Sequence, residues 1–453
     1  TKLRQMIRDR EVSASELLVA HVSQIEALNT ELNAIVTLDV ERATATAKVA
    51  DDKTASGATV GLLHGLPMAH KDLADTAGIR TTYGSPLFAD HVPTSNSLHI
   101  DRLQNAGAIT IGKTNTPEFG AGSQTFNTVF GATHNPWDQS KTCGGSSGGA
   151  AVALAAGMIP LADGSDMGGS LRNPASFCGI VGLRPTPGRV PTWPSGGVWS
   201  PWGVEGPMGR CVADVALGLA AMSGPDPRVP LSRSEPGAMF NNLNLSQDTL
   251  TGLRIGWDLD LGGLPIDPQV RLVLEPVRAA LESIGATTTE KSINLVGADE
   301  VFQVMRAAAF DSKLGPLVDK YPDQFKDTIH WNIDESRRRP LSDMAKAITG
   351  QAQIHASAVE FFSSHDVLAC VVSQVPPFDV ATDWVREIDG HQMDSYIDWM
   401  RSCSDITTTG CPAISIPAGI TRNGLPVGLQ LVAAHGNDAR LLEIAATVEA
   451  ALR

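Results

Sequence analysis

Residues 144–169 read GGSSGGAAVALAAGMIPLADGSDMGG, a glycine turn, an Ala-rich helix, a short apolar strand and a second glycine turn. The small side chains of that helix let other backbone pack closely against it. In the second turn, GSDMGGSLRNPAS (164–176), two glycines stand directly before Ser170 and Arg172 follows two residues later. Glycine is favoured where backbone must approach a ligand or adopt positive φ, at an entropic cost that Ser, Asn or Asp would avoid in an ordinary loop. Ser170 is therefore either a nucleophile among exposed backbone N–H groups or part of a tight turn.

Elsewhere strands and helices alternate. Ser13 and Glu16 form a capping box, with Leu17, Leu18, His21, Val22, Ile25 and Leu28 at helical spacing, which predicts a helix over about 14–28. LLHGLPMAHKDLA (62–74) reads as a turn into a buried strand with Lys71 at or just past its end, and AGAITIGKTNTPEF (106–119) repeats the plan with Lys113. TWPSGGVWSPWGVEGPMG (192–209) reads as a structured loop, 212–222 as a helix and 224–250 as a surface connection. Strands follow at 253–260, 366–373, 413–419 and 426–434, with an amphipathic helix at 268–285, a mainly helical stretch at 299–362 and a closing helix. At 453 residues the chain forms either two domains or one large α/β sheet, parallel or mixed, covered by helices on both faces.

Composition narrows the function. With 42% hydrophobic and 19% charged residues the chain folds. Its net charge of -14 is spread among both signs with no basic stripe, which excludes nucleic acid as a partner. Cys143, Cys178, Cys211, Cys370, Cys403 and Cys411 form no CxxC and sit in apolar or Gly-rich contexts, which points to reduced thiols and a cytoplasmic protein. No stretch is apolar for long enough to span a membrane, and none reads as a signal peptide.

GGSSG (144–148) and GSSGG (145–149) both fit the nucleophile elbow G-x-S-x-G, and the helix that should follow is present. The strand that should precede is replaced by the turn-like NPWDQSKTC, and none of His330, His365, His391 or His435 stands out as a partner. A P-loop lysine and an HExxH or CxxC metal motif are missing, and the six-residue spacing of His64 and His70 suits no common zinc helix motif. A serine still needs a base, and a lysine beside apolar groups can serve once burial lowers its pKa. Lys71 is the candidate, against the simpler reading of a strand-end lysine paired with Asp72 or Asp75.

GGSSGGAAVALAAG and LADGSDMGGSLRNPASFCGIVGLRPTPGRV together resemble the signature of the amidase signature family, serine amidases with a Ser–cisSer–Lys triad. The likeness extends through HGLPMAHKDLADTAG (64–78), GAITIGKTNTPEFG (107–120), GATHNPWD (131–138), GPMGRCVADVALGL (206–219) and TTTGCPAISIPAGITRNGLPVGLQLVAA (407–434). It implies a large mixed, mostly parallel twisted sheet covered by helices. It also implies one domain over 1–453, with a helical segment at 1–60, a signature core at about 61–222, a variable substrate-side region at about 223–365 and C-terminal strands and helix at 366–453. Carried over residue by residue, it makes Ser170 the nucleophile, Ser146 the proton shuttle and neutral Lys71 the base. The N–H groups of Met167, Gly168, Gly169 and Ser170 become the oxyanion hole, and Asp166, Arg172 and Ser147 support it. The chain departs from the family pattern at His70, which replaces the usual apolar residue, and mildly at Ser165 and Met167.

The resemblance implies an enzyme that cleaves a carboxamide C–N bond through an acyl-enzyme, with a small-molecule amide as substrate and no cofactor or metal; a homodimer is the expected assembly. Phe126, Phe130, Trp193, Trp199 and Trp202 flank the signature and are candidates for the lining of an acyl pocket, which favours a hydrophobic or aryl amide, with 299–400 shaping the rest. The alternative for the tryptophans is packing of a Pro-rich loop. Three other functions are the glutaminase-type component of an amidotransferase, a Ser-His-Asp α/β-hydrolase esterase acting through Ser146, and a non-catalytic amide-binding relative.

Overall fold

The computed structural model describes residues 2–195, 197–245 and 249–453, so Gly196 of the tryptophan loop and 246–248 of the surface connection lie outside the described residues. Two sheets organise the chain. Strands β1 (Ile35–Leu38), β2 (Pro67–Lys71) and β3 (Ile109–Thr114) form a small sheet in the order β1-β3-β2, with β2 and β3 parallel. The large sheet contains β4 (Leu161–Asp166), β5 (Val181–Arg184), β6 (Val204–Gly209), β7 (Arg254–Trp257), β8 (Thr287–Thr289), β9 (Val367–Val371), β10 (Ala413–Ile420) and β11 (Pro426–Val432). Their order is β8-β7-β9-β11-β10-β5-β6-β4.

The large sheet is mixed. β6, β7, β8, β9 and β10 run one way and β4, β5 and β11 the other, so one direction predominates. Among these strands β7 alone is flanked by parallel neighbours; the remaining adjacent pairs are antiparallel, β10 and β11 because a turn joins them directly. Apolar runs with no alternation feed this sheet because both faces are buried. In β9, Val367, Ala369 and Val371 enter one core while Leu368 and Cys370 enter the other.

The first of those cores is closed by helices α4 (Val212–Met222), α5 (Pro268–Ser283) and α10 (Asp438–Leu452). The second is closed by α6 (Ala298–Lys320), α8 (Leu341–Ser364) and α9 (Arg401–Thr408), with α7 (Asp327–Arg338) packed on α6. A third core joins α1 (Ala14–Leu32), α2 (Gly148–Ala155) and the small sheet. Helix α1 starts at the capping box, where Ser13 Oγ accepts from Glu16 N–H and Glu16 Oε2 accepts from Ser13 N–H, and it runs to an Asn33 cap in the left-handed region.

One expectation fails in the tryptophan loop, whose last six residues, VEGPMG, are the strand β6 rather than loop. Pro207 pairs with Asp163 on the β4 side only, because pairing with β5 stops at Met208, so its missing N–H breaks no ladder there.

Candidate active site

Three chain segments converge at the ends of β2 and β4. Lys71 closes β2, Ser165 and Asp166 close β4, and Ser146 and Ser147 lead into α2 (Gly148–Ala155) after a cis Gly145–Ser146 peptide. Lys71 is buried, and its Nζ donates to Ser146 Oγ at 2.8 Å, Ser147 Oγ at 2.9 Å and Ser165 Oγ at 2.9 Å. Asp72 is occupied elsewhere, accepting from Thr82, so Lys71 is not a strand-end lysine paired with its neighbour. Burial dominates its titration and lowers its pKa to about 7, partly opposed by Glu205, Asp166 and Asp163.

Beneath it, Asp163 Oδ2 accepts from the Lys71 backbone N–H at 3.2 Å, and Asp163 Oδ1 lies 2.6 Å from His70 Nδ1. His70 points to the opposite side of β2 from Lys71, with Nε2 on Thr110 Oγ1 at 2.9 Å, and burial lowers its pKa. Burial alone would raise the Asp163 pKa; His70 and His99 outweigh it and hold the carboxyl well below the usual range.

Ser170 lies on the loop between β4 and helix α3 (Arg172–Cys178). Its carbonyl accepts from Ser147 N–H at 3.2 Å, which ties the two serine loops together, and its Oγ has no hydrogen-bond partner among the described residues. Asp166 anchors this loop. It accepts from Gly169 N–H at 2.9 Å, Leu171 N–H at 3.2 Å, Arg172 Nε at 3.0 Å and Arg172 Nη2 at 2.9 Å, all buried. Arg184 Nη1 holds the Asp166 carbonyl at 2.5 Å, and Arg172 Nη1 reaches Gln430 Oε1 of β11 at 2.7 Å.

Of the four N–H groups assigned to an oxyanion hole, Gly169's is committed to Asp166, while those of Met167, Gly168 and Ser170 meet no acceptor among the described residues. Gly169 is needed for another reason: its φ is +112°, and a Cβ there would lie 2.6 Å from both Asn173 and Cys403. At Gly168 a Cβ would come within 2.8 Å of the Phe302 ring.

The five aromatics named from sequence do not form one wall. Trp202 is buried and meets Phe302 edge-on at 6.4 Å, next to the Gly168 backbone. Trp199 is 72% exposed, Trp193 lies under Arg228, Phe130 lies under Arg80, and Phe126 is partly exposed under Lys326. Trp199 stays at the surface, Trp193 is half-buried, and among the described residues neither makes a ring contact with Trp202.

Other aromatics border the site instead. A Cβ on Gly120 would lie 3.4 Å from Ser146 Oγ, and the preceding Phe119 stacks on Tyr83 at 5.9 Å and on Phe325 at 5.8 Å. Glu205 escaped the sequence reading, and Ser165 entered it only as a mild departure from the family pattern, although the two pair across β4 and β6 and both act on Lys71. The signal for Ser165 was its alternation with Asp163 on one face of β4.

No histidine hydrogen-bonds to Ser146, Ser147 or Ser170 among the described residues, so the elbow-hydrolase arrangement is not present there. Among the same residues no cluster of His, Cys, Asp and Glu could hold a metal. A buried lysine among serine hydroxyls, beside a glycine loop with unpaired N–H donors, is the equipment of a serine hydrolase whose base is lysine.

The family model described as Amidase matches residues 16–442. An acylamidase of Rhodococcus erythropolis is 35% identical over 99% of this chain and 94% of that protein. A glutamyl-tRNA(Gln) amidotransferase component of Alkaliphilus metalliredigens is 34% identical over 97% of this chain and 93% of its own. Among solved structures, a bacterial aryl acylamidase of the amidase signature family superposes with a TM-score of 0.92 at 25% identity, covering 99% of this chain and 94% of that one. A 6-aminohexanoate cyclic dimer hydrolase solved with its substrate gives 0.87 at 26%, covering 100% and 96%. The chain belongs to the amidase signature family. It is an amidase, a hydrolase of amide C–N bonds.

Proposed function

We propose that this amidase hydrolyses a hydrophobic or aryl carboxamide through a Ser170 acyl-enzyme. The observation that carries the reading is the 2.8 Å hydrogen bond from Lys71 Nζ to Ser146 Oγ at a site where burial favours the neutral amine. Ser170 Oγ attacks the carbonyl carbon, its proton passes to Ser146 Oγ, and the Ser146 proton passes to Lys71 Nζ. The N–H groups of Met167, Gly168 and Ser170 receive the developing oxyanion. As the C–N bond breaks, the relay returns the proton to the leaving nitrogen, which departs as ammonia or an amine. Water then adds to the ester carbonyl, gives its proton to the same relay and releases the carboxylate with Ser170 restored.

Two aromatic groups support the substrate class. Phe119, which stacks on Tyr83, precedes Gly120, where an added Cβ would lie 3.4 Å from Ser146 Oγ, and Phe302 with Trp202 stands behind Gly168. The proposal includes a homodimer acting in the cytoplasm. It is supported by Leu341, Ile348 and Val359, which are all exposed on one face of α8, and by six free thiols. No described helix is long and apolar enough to cross a membrane.

The test is mass spectrometry after treatment with a fluorophosphonate probe, which modifies an activated serine. Label on Ser170, abolished in Lys71→Ala, is the expected result. Label on Ser146 or Ser147, or none, overturns the assignment. Benzamide-type substrates should be cleaved faster than acetamide, and sedimentation velocity should show a dimer.

A further inference from the structure

Arg306, on α6, is 4% exposed. Its Nε donates to Asn332 Oδ1 and to the Tyr396 hydroxyl, each at 3.2 Å, and its Nη2 donates to the same hydroxyl at 2.9 Å. Nη1 meets only the Met167 sulfur, at 3.7 Å, a weak acceptor. The rings of Phe302, Phe310 and Tyr396 surround the guanidinium with centroids 6.0, 4.5 and 5.7 Å away. No carboxylate among the described residues lies within ion-pair distance of it.

A buried guanidinium with neutral partners is unusual, because a desolvated cation is costly unless an anion compensates it. None of the acidic residues among those described is placed here. Lys326 is near enough for the two positive charges to oppose each other. It donates to the Ala121 carbonyl and stands over Phe126; Glu118 faces it, but no described carboxylate lies at ion-pair distance from its ammonium. Ala121 follows Gly120, where an added Cβ would lie 3.4 Å from Ser146 Oγ, while Met167 belongs to the loop of unpaired N–H donors. Two neighbouring cations without an ion-pair partner among the described residues therefore stand here, one touching Met167 of the Ser170 loop and the other the Ala121 carbonyl.

We infer that Arg306 is a specificity-determining residue whose free Nη1 face receives an anionic oxygen, a carboxylate or its equivalent, carried by the amide substrate itself. The inference rests on the amidase reading of the Ser170 site and adds a charged end to the apolar body. Arginine suits the task because its planar fork presents parallel donors to a carboxylate and stays charged when buried. Tyr396, Asn332 and the three rings hold the fork in place, so it meets the substrate already oriented. Substrates with the charge at the right reach fill the site without displacing a protein anion.

The experiment compares kcat/KM for monoamides of dicarboxylic acids of increasing length (succinamate, glutaramate, adipamate) and for N-acetyl ω-amino acids with kcat/KM for neutral amides of matched length. The unmodified enzyme should prefer at least one anionic member by about 100-fold, the effect of a charged hydrogen bond that is lost in its neutral counterpart. In Arg306→Gln that ratio should fall toward one, with the change carried by KM, and Arg306→Lys should restore part of it. Absence of any preference in the unmodified enzyme overturns the inference without recourse to a variant. Equal losses on charged and neutral amides in Arg306→Gln also overturn it, since that marks a packing role. If the unmodified enzyme hydrolyses none of the amides, neutral ones included, the assignment of the site fails instead.

Discussion

Lys71 Nζ lies 2.8 Å from Ser146 Oγ, with the hydroxyls of Ser147 and Ser165 completing its shell. Burial disfavours the cation more than Glu205, Asp166 and Asp163 favour it, so the amine loses its proton at a pKa of about 7 instead of 10.5. With Lys71 as the proposed base, which acts when neutral, kcat/KM should rise through about pH 7 and level off above it, read from initial rates across a pH series. The sign for stability follows from proton counting. Between about pH 7 and 10.5 the unfolded chain holds a proton on Lys71 that the folded chain lacks, so this group's contribution to stability increases with pH across that window.

Lys71→Arg should abolish turnover by several powers of ten, because a guanidinium does not deprotonate in the working range. Ser165→Ala should be milder. It removes one acceptor of the charged ammonium, which favours the neutral form, so the acid limb should move to lower pH while the maximal rate falls about 10-fold. An unshifted limb would show that the Ser165 hydroxyl does not act on Lys71.

Asp166 is the anion that faces both Arg172 and Arg184. Burial alone would raise its pKa; Arg172 first and Arg184 second hold it far below the usual range. Its stabilising contribution is therefore present above pH 3.8 and disappears only as pH falls through the lowered folded value, well away from the Lys71 limb. Asp166→Ala leaves two buried guanidinium groups unpaired and should cost about 3 to 5 kcal/mol, measured by denaturant unfolding. The Gly169 N–H loses its acceptor in the same variant, so the loop should loosen and turnover should fall in whatever protein remains folded.

Gly168→Ala places a methyl 2.8 Å from the Phe302 ring. Neither the loop, anchored by Asp166, nor the ring, packed on Trp202, can yield freely, so about 1 to 3 kcal/mol of stability and most of the activity should be lost. Trimming the ring in Gly168→Ala/Phe302→Leu should recover part of both, a non-additivity that a double-mutant cycle would detect.

Trp199→Ala should leave kcat/KM on an aryl amide within about two-fold, since surface substitutions away from special features have small effects. Phe302→Ala should raise KM for the same substrate. Equal effects in the two variants would place the tryptophan loop over the pocket.

Several features of this protein were determined within short stretches of sequence. The capping box of Ser13 and Glu16 set the start of α1, because a cap is made by residues three apart. The apolar run before Lys71 set β2 and left the lysine at its buried end, and the periodicity of 268–283 set α5. The two glycine turns located Ser146 and Ser170, since backbone freedom is a property of single residues.

What the tertiary structure decided depended on residues far apart in the chain. Strand β6 exists because Pro207 pairs with Asp163 of β4 while the ladder to β5 ends at Met208, a condition set by its neighbouring strands. Gly169 N–H is withheld from the proposed oxyanion hole because Asp166 folds back onto it. Phe302, Tyr396 and Arg306 reach the site from helices or loops more than a hundred residues beyond Ser170, and their periodicity shows only that one face is buried. Local patterns report on local hydrogen bonds and on whether a face is wet or dry. Which buried face meets the loops of Ser146 and Ser170 is settled only when distant segments pack.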